Sequence, residues 1–400
     1  MQLRGIEGGN STSRTIYIMR TNLMSLILLA FSLPAVSQEQ IQFEGAPAVM
    51  LSNGKIELTI LVRGGAFVNL TLKQNDSKLS PFWNPARIAR DAGKPARGAG
   101  GGHFVCVDGF GMPSAEERAA GMPSHGEAHR QPWAIESSGK TSGILSVVFS
   151  THLPLVQEDF RRTVRMVDGE SVVYVESELT SLLGFDRPVN WAEHATIGSP
   201  FLAPGKTVVD MSARQSKTRA HHDEEDPYPH RLADFQEFTW PLAPGQNGEM
   251  IDLRNTPLKP NSLDHTTSLM DPDRTLVFVT ALNLQEGLLL GYVFRREEYP
   301  WLQNWESYPP DMGMARGLEI STQPFDIPRR QVIERGPMFG APVVRWLPAK
   351  SKIGSRFLFF YTKVPAGFRR VDDVVLNDGK LTIEDRGSRQ SFSLAASLGL

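Results

Sequence analysis

Along most of this chain apolar and polar positions alternate with a period of two, the pattern of strands that bury one face. Residues 55–62 alternate imperfectly, a second run at 66–72 follows the Gly64-Gly65 pair, and Asn53-Gly54 marks a tight turn ahead of both. Residues 144–150, 160–167 and 171–179 form a clearer set, with Asp168-Gly169 as a two-residue hairpin connection between the last two. Runs at 275–281, 287–294, 315–322, 356–361 and 380–384 continue the pattern. Beyond the first forty residues no long, capped stretch carries a helical period, and 35 Gly with 28 Pro supply the turns that many short strands need. The expectation is an all-β chain, an antiparallel sandwich or barrel with few short helices, rather than any β-α-β design. No internal repeat or low-complexity linker divides the chain. Residues 38–400 are therefore expected to form a single domain, with a polar insertion or lid at about 204–260.

The N-terminus breaks the pattern. Arg14 and Arg20 precede an apolar run from Leu23 to Leu33, and Ala35-Val36-Ser37 puts small residues where signal peptidase inspects a chain. Residues 1–37 thus predict a signal peptide cleaved after Ser37, with Met19 or Met24 as alternative starts. The apolar run is short for a spanning helix and Gln38-Glu39-Gln40 follow at once, so a secreted or periplasmic protein without stable membrane association is expected. A formal net charge of -2 provides no field that would draw the chain to nucleic acid. The single cysteine, Cys106, excludes an intramolecular disulfide and a cysteine zinc cluster, and its neighbours Val105 and Val107 predict a buried, inert thiol.

Four polar islands interrupt the strands: Ser124-His125-Gly126 running on to Trp133, Glu193-His194-Ala195, Asp264-His265, and Leu318-Glu319-Ile320. Imidazoles opposite an ionised carboxylate are the groups that move protons on a neutral polyol near neutral pH. His125 stands between Pro123 and Gly126, on a loop that can turn sharply and present its ring. Arg130 and Trp133 follow it, a polar group and an aromatic plane of the kind that hold sugars. His194 is placed just after a strand, where a satisfied core histidine is the competing reading. Glu319 lies between Leu318 and Ile320 in a strand-like run, where an inward carboxylate is costly unless a partner or substrate uses it.

Other chemistries fit less well. His125 and His129 have helical spacing, but the glutamate is misplaced for H-E-x-x-H and Pro123 and Pro132 leave little room for a helix. No G-x-S-x-G elbow, Walker loop or strand-bound G-x-G-x-x-G is present, and the glycine-rich stretch at 98–102 reads as a loop. The acidic run at 222–226 has oxygens suited to a hard cation, although a solvated lid is the preferred reading.

The stretch Gly100-Gly101-Gly102-His103-Phe104-Val105-Cys106-Val107-Asp108-Gly109-Phe110-Gly111, followed by His125-Gly126-Glu127-Ala128-His129-Arg130 and Trp133, resembles R-G-G-I-P-V-C-W-P-x-F-G and then H-G-F-A-R before a tryptophan. Those are motifs of the glucose-6-phosphate 1-epimerase branch of the aldose 1-epimerase (galactose mutarotase) superfamily. His194 corresponds to that family's second histidine, and Ser262-Leu263-Asp264-His265 resembles its sugar-binding G-x-D-H. Glu319 with Gln323, Pro324 and Asp326 behind it resembles the catalytic E-x-Q-x-x-P-D context. The likeness spans roughly residues 55–330. It departs where Gly100 replaces the arginine of R-G-G, where His129 takes the place of the H-G-F-A-R arginine with Arg130 one position late, and where no aromatic follows His194.

The resemblance implies a large galactose mutarotase-like sandwich and a mutarotase, with Glu319 as base, His194 as acid and His125 near the ring oxygen. It further implies that Asp264 and Arg130 grip remote hydroxyls, that Trp133 or Trp305 stacks on the sugar, and that His103 takes part of the sugar contact. No metal or cofactor is expected. The missing first arginine and the exported location both favour a neutral aldose or an oligosaccharide end over a sugar phosphate. A catalytically silent carbohydrate-binding protein on the same fold is the alternative.

Overall fold

The computed structural model describes residues 38–75, 77–95, 100–220 and 228–400. The expected signal peptide at 1–37, the acidic run at 222–226 and part of the glycine-rich loop lie outside the described residues.

Two antiparallel sheets dominate. The larger has eleven strands in the order Gln38–Phe43, Ala46–Ser52, Ile56–Leu61, Phe67–Leu72, His103–Val107, Trp191–Gly198, Ala315–Ser321, Trp301–Tyr308, Ser262–Met270, Ala213–Thr218 and Glu237–Thr239. The smaller has eight, in the order Thr207–Met211, Leu276–Asn283, Leu288–Arg295, Lys352–Lys363, Val172–Ser181, Glu158–Val167, Ile144–Leu153 and Ala134–Thr141. Their facing sides enclose one apolar cluster in which Val105, Val107 and Trp191 of the first sheet meet Val147, Phe160 and Phe359 of the second. This is the sandwich solution to one-sided strands, two apolar faces interdigitating away from water.

The outer face of the eight-stranded sheet is also apolar, carrying Tyr174, Phe278, Leu289 and Leu358, and a C-terminal three-stranded sheet covers it with Val374, Leu381 and Ile383. That sheet is built from Asp373–Asn377, Lys380–Asp385 and Gln390–Ala395. Among the described residues the α-helices are short: Pro85–Asp91, Ala115–Ala119 and Arg329–Arg335. None is long and apolar enough to cross a membrane.

The alternating runs became strands, most of them ending within two residues of the bounds the pattern implied, while the run at 356–361 became the longer Lys352–Lys363. The hairpin turning at Asp168-Gly169 joins Glu158–Val167 to Val172–Ser181, with Gly169 at φ 79°, but the connection runs over four residues, 168–171, and not the expected two. Two further expectations need correction. The insertion does not begin at residue 204, because Thr207–Met211 and Ala213–Thr218 are integral strands of the two main sheets and the excursion starts only after them. His194 does not follow a strand but sits within one, Trp191–Gly198, whose residues are buried on both faces.

Candidate functional site

The strand Trp191–Gly198 runs through the middle of the eleven-stranded sheet, between His103–Val107 and Ala315–Ser321. Its period of two sends Trp191, Ala195 and Ile197 into the sandwich. Ala192, His194 and Thr196 therefore face the other way, where Ala192 packs with Cys106 and Phe110. Glu193 opposite Ile320 and Thr196 opposite Gly317 set the register that brings His194 level with Glu319. The His194 Nε2 lies 3.3 Å from Glu319 Oε1. On its other side the ring stacks on Phe104 at 4.3 Å between centroids, and Nδ1 is 3.0 Å from the Thr196 hydroxyl. Gly317 makes the contact possible, since a Cβ there would overlap the Glu319 carboxyl.

His125 reaches the same spot from a loop. Its backbone is left-handed at φ 64°, followed by Gly126 at φ 74°, where any Cβ would overlap the Val107 carbonyl. The His125 N–H donates to the Gly111 carbonyl at 2.9 Å, and the Gly111 N–H donates back to His125 Nδ1 at 3.3 Å. That acceptor role fixes the neutral tautomer with its proton on Nε2. The His125 and His194 rings stand edge to face at 5.1 Å. His129 lies nearby, 5.3 Å from Phe104, and burial lowers its pKa to about 4.

Asp326 closes one side. It pairs with Arg219, whose Nη1 also donates to Gln303 Oε1 at 3.0 Å, and its Oδ2 lies 3.8 Å from His265 Nδ1. Burial works to raise the Asp326 pKa, but Arg219 and His265 outweigh it and hold the carboxyl well below its usual range. Glu319 goes the opposite way: burial first, then the Asp326 charge, push it well above the carboxylate range. Burial and the neighbouring His125 hold His194 well below an ordinary histidine. Burial thus pushes the carboxyl toward its acid form and the imidazole toward neutrality, against the ionised carboxylate expected from residue type.

Trp305 shares this face. It lies opposite both Gly317 and His265, is half-buried, and stands edge to face with Trp83 at 6.3 Å. Half-buried aromatics beside polar groups can carry the apolar face of a pyranose.

Other predicted contacts are elsewhere. His103 precedes Phe104 and so points into the sandwich, where it is fully buried with Nε2 2.9 Å from Glu193 and Nδ1 3.2 Å from the Tyr292 hydroxyl. Trp133 is a core residue at 2 % exposure, its Nε1 donating to the Ala128 carbonyl at 2.9 Å, and Gly65 leaves room for its ring. Asp264 lies on the strand face opposite to His265. It accepts the Arg231 amide N–H at 2.8 Å and Arg231 Nε at 2.6 Å, so it anchors a loop. Arg130 is exposed but stays beside this site, its Nε donating to His129 Nε2 at 3.3 Å.

Sequence reading missed Arg219, Gln303, Thr196 and the stacking role of Phe104. Phe104 could have been found by counting two residues from Cys106, whereas Arg219 borders the polar excursion and carries no local signal. Among the described residues no group of three or more His, Cys, Asp or Glu is placed to hold a metal ion.

No family model matches the chain, and no curated protein matches its sequence. Solved structures do. A Klebsiella pneumoniae protein provisionally named an aldose 1-epimerase superposes with a TM-score of 0.57 at 12% identity over 81% of this chain and 82% of its own. A galactose mutarotase related enzyme of Lactobacillus acidophilus gives 0.54 at 11% identity over 79% of this chain and 97% of its own. A galactose mutarotase-like protein of Clostridium acetobutylicum gives 0.54 at 11% identity over 82% and 99%. Identities this low speak for architecture alone. What these likenesses and the two-sheet topology together establish is that the chain has the galactose mutarotase-like β-sandwich fold.

Proposed function

We propose that this protein interconverts the α and β anomers of an unphosphorylated aldose by acid–base ring opening. The observation that carries the proposal is the 3.3 Å contact between His194 Nε2 and Glu319 Oε1 on an aromatic-lined sheet face, with the His125 Nε2–H beside it. Mutarotation needs a base on the anomeric hydroxyl and an acid at the ring oxygen, acting together on one substrate. A pair that holds a single proton can do both. With the proton passed to His194 Nε2, Glu319 takes the hydroxyl proton while His194 gives its own to the ring oxygen. The aldehyde then rotates about its C1–C2 bond and closes on the other face. His125 Nε2–H is a neutral donor for charge developing on the ring oxygen, and Trp305 with Trp83 offers a stacking surface.

The sugar is taken to be unphosphorylated because Arg219, a guanidinium on this face, is committed to Asp326 and Gln303. An exported protein, as the N-terminal segment suggests, would also meet free sugars or chain ends rather than cytosolic phosphates. A carbohydrate-binding protein without turnover is the second reading, favoured by the commitment of Asp264 to Arg231 instead of a remote hydroxyl.

Exchange NMR of glucose and galactose anomers separates the two. Mutarotation predicts line broadening or saturation transfer between anomers that disappears in His194→Asn. Saturable binding with no acceleration by the parent protein would leave the second reading standing. Gly317→Ala provides a graded check, since its methyl displaces the Glu319 carboxyl and should slow exchange about tenfold or more while the fold persists.

A further inference from the structure

The proposed chemistry leaves the remote hydroxyls of the sugar without a partner. Asp264, which the sequence offered for them, faces the other side of its strand and holds Arg231. Another acid stands on the right side. Directly opposed residues of antiparallel strands share a face. Gln303 opposes Glu319, and His265 opposes Trp305, which in turn opposes Gly317, so Gln303, Trp305 and His265 all project beside the Glu319 carboxyl.

Asp326 joins them from the loop after Ala315–Ser321. It pairs with Arg219, whose Nη1 donates to Gln303 Oε1 at 3.0 Å, and its Oδ2 lies 3.8 Å from His265 Nδ1. Its backbone carbonyl packs on Gly111, where a Cβ would overlap it, and Gly111 is the residue that exchanges hydrogen bonds with His125. Arg219 is pinned in turn, its guanidinium 4.9 Å from the centre of the Phe325 ring. The Asp326 charge accordingly bears on His125, His194 and Glu319 alike. Asp326 is held in place yet open to a ligand: its side chain is 28 % exposed, against 3 % for Glu319 and 10 % for His194. A carboxylate has about four acceptor positions. Arg219 engages Oδ1, which leaves acceptor capacity for hydroxyl donors.

We propose that Asp326 is the sugar-binding carboxylate of this face, accepting hydrogen bonds from hydroxyls remote from the anomeric carbon while the ring lies along Trp305, and that it thereby selects which aldoses are admitted. Hydroxyl donors at that wall are accepted, whereas an anionic substituent there would meet a like charge. The inference rests on the reading of this face as a sugar site, but not on turnover.

Ligand-observed NMR titration of the full chain with glucose, galactose and the monodeoxy derivatives of each tests it, since affinity is read whether or not the sugar reacts. At least one remote deoxy position should weaken binding about tenfold. In Asp326→Ala that penalty should disappear, while the intact sugar binds about tenfold more weakly than to the parent protein. Asp326→Asn keeps an acceptor for Arg219, so it stays interpretable if the alanine variant fails to fold, and it should cut the penalty to about threefold. An unchanged penalty in Asp326→Asn would overturn the proposal. So would a loss of affinity spread equally over all the derivatives, which would mean that Asp326 acts only by holding Arg219 and the His125 loop in place. Anomer exchange measured alongside keeps this inference apart from the mutarotase reading. Exchange by the parent protein with no Asp326-dependent penalty retires the Asp326 contact alone, the penalty without exchange retires the mutarotase alone, and no saturable binding of either sugar overturns both.

Discussion

Glu319→Gln is expected to slow anomer exchange by about three orders of magnitude while leaving the protein at least as stable as the parent. The loss follows from geometry: glutamine keeps the shape at 3.3 Å from His194 Nε2 but cannot take or give a proton. The stability follows from the electrostatics. Glu319 has its folded pKa raised by burial and by Asp326. Its contribution is therefore fully present below the unfolded pKa and is lost as pH rises through the folded one. A neutral amide has no such dependence, so the variant should gain on the parent in mildly alkaline denaturation experiments. Parent-like exchange in Glu319→Gln would remove the catalytic assignment, and a marked drop in its stability would mean that the carboxyl is a structural partner of His194 instead.

The largest purely structural effect should come from the other side of the same strand. Glu193, next to His194 in sequence, points into the sandwich and is fully buried. It accepts from Arg162 at 2.5 Å, His103 Nε2 at 2.9 Å, Trp191 Nε1 at 3.2 Å and Tyr299 at 3.3 Å. Burial opposes its ionisation, but Arg162 and His103 outweigh that and keep its pKa below the ordinary value. Arg162 is itself 1 % exposed, enclosed by the rings of Phe67, Trp133 and Phe160, and its Nη1 has no partner. Glu193→Ala would leave that guanidinium buried and uncompensated, at a cost of about 3–5 kcal/mol in chemical denaturation. Removing the stranded charge as well, in Glu193→Ala with Arg162→Met, should recover a large part of the loss. A single-variant cost below about 1 kcal/mol would mean that water reaches Arg162.

The strand content and the antiparallel class were legible because alternation and glycine-rich turns report local geometry, and local geometry is what neighbouring residues impose on each other. His125 was legible as a loop residue from Pro123 and Gly126, and its left-handed backbone bears that out. Side-chain direction was not. In His103–Val107 both faces of the strand are covered, so the apolar pattern is nearly continuous and does not mark which face holds the core. His103 was expected at the sugar, whereas one step along the strand it is Phe104 that stacks on His194. Asp264 and His265 show the same ambiguity, the acid holding Arg231 on one face while the histidine approaches Asp326 on the other. Trp133 looked like a stacking platform from its position after His125, but Gly65 clears a place for its ring in the core.

What the amino-acid order alone determined, then, was an all-β chain with its polar residues gathered in a few islands. Which islands meet was decided by the pairing of strands distant in sequence. His194 and Glu319 are neighbours because two strands over a hundred positions apart adopt one register, with Glu193 opposite Ile320. The same packing raises the Glu319 pKa, since that depends on burial and on the Asp326 charge, quantities that exist only once the sheets have closed.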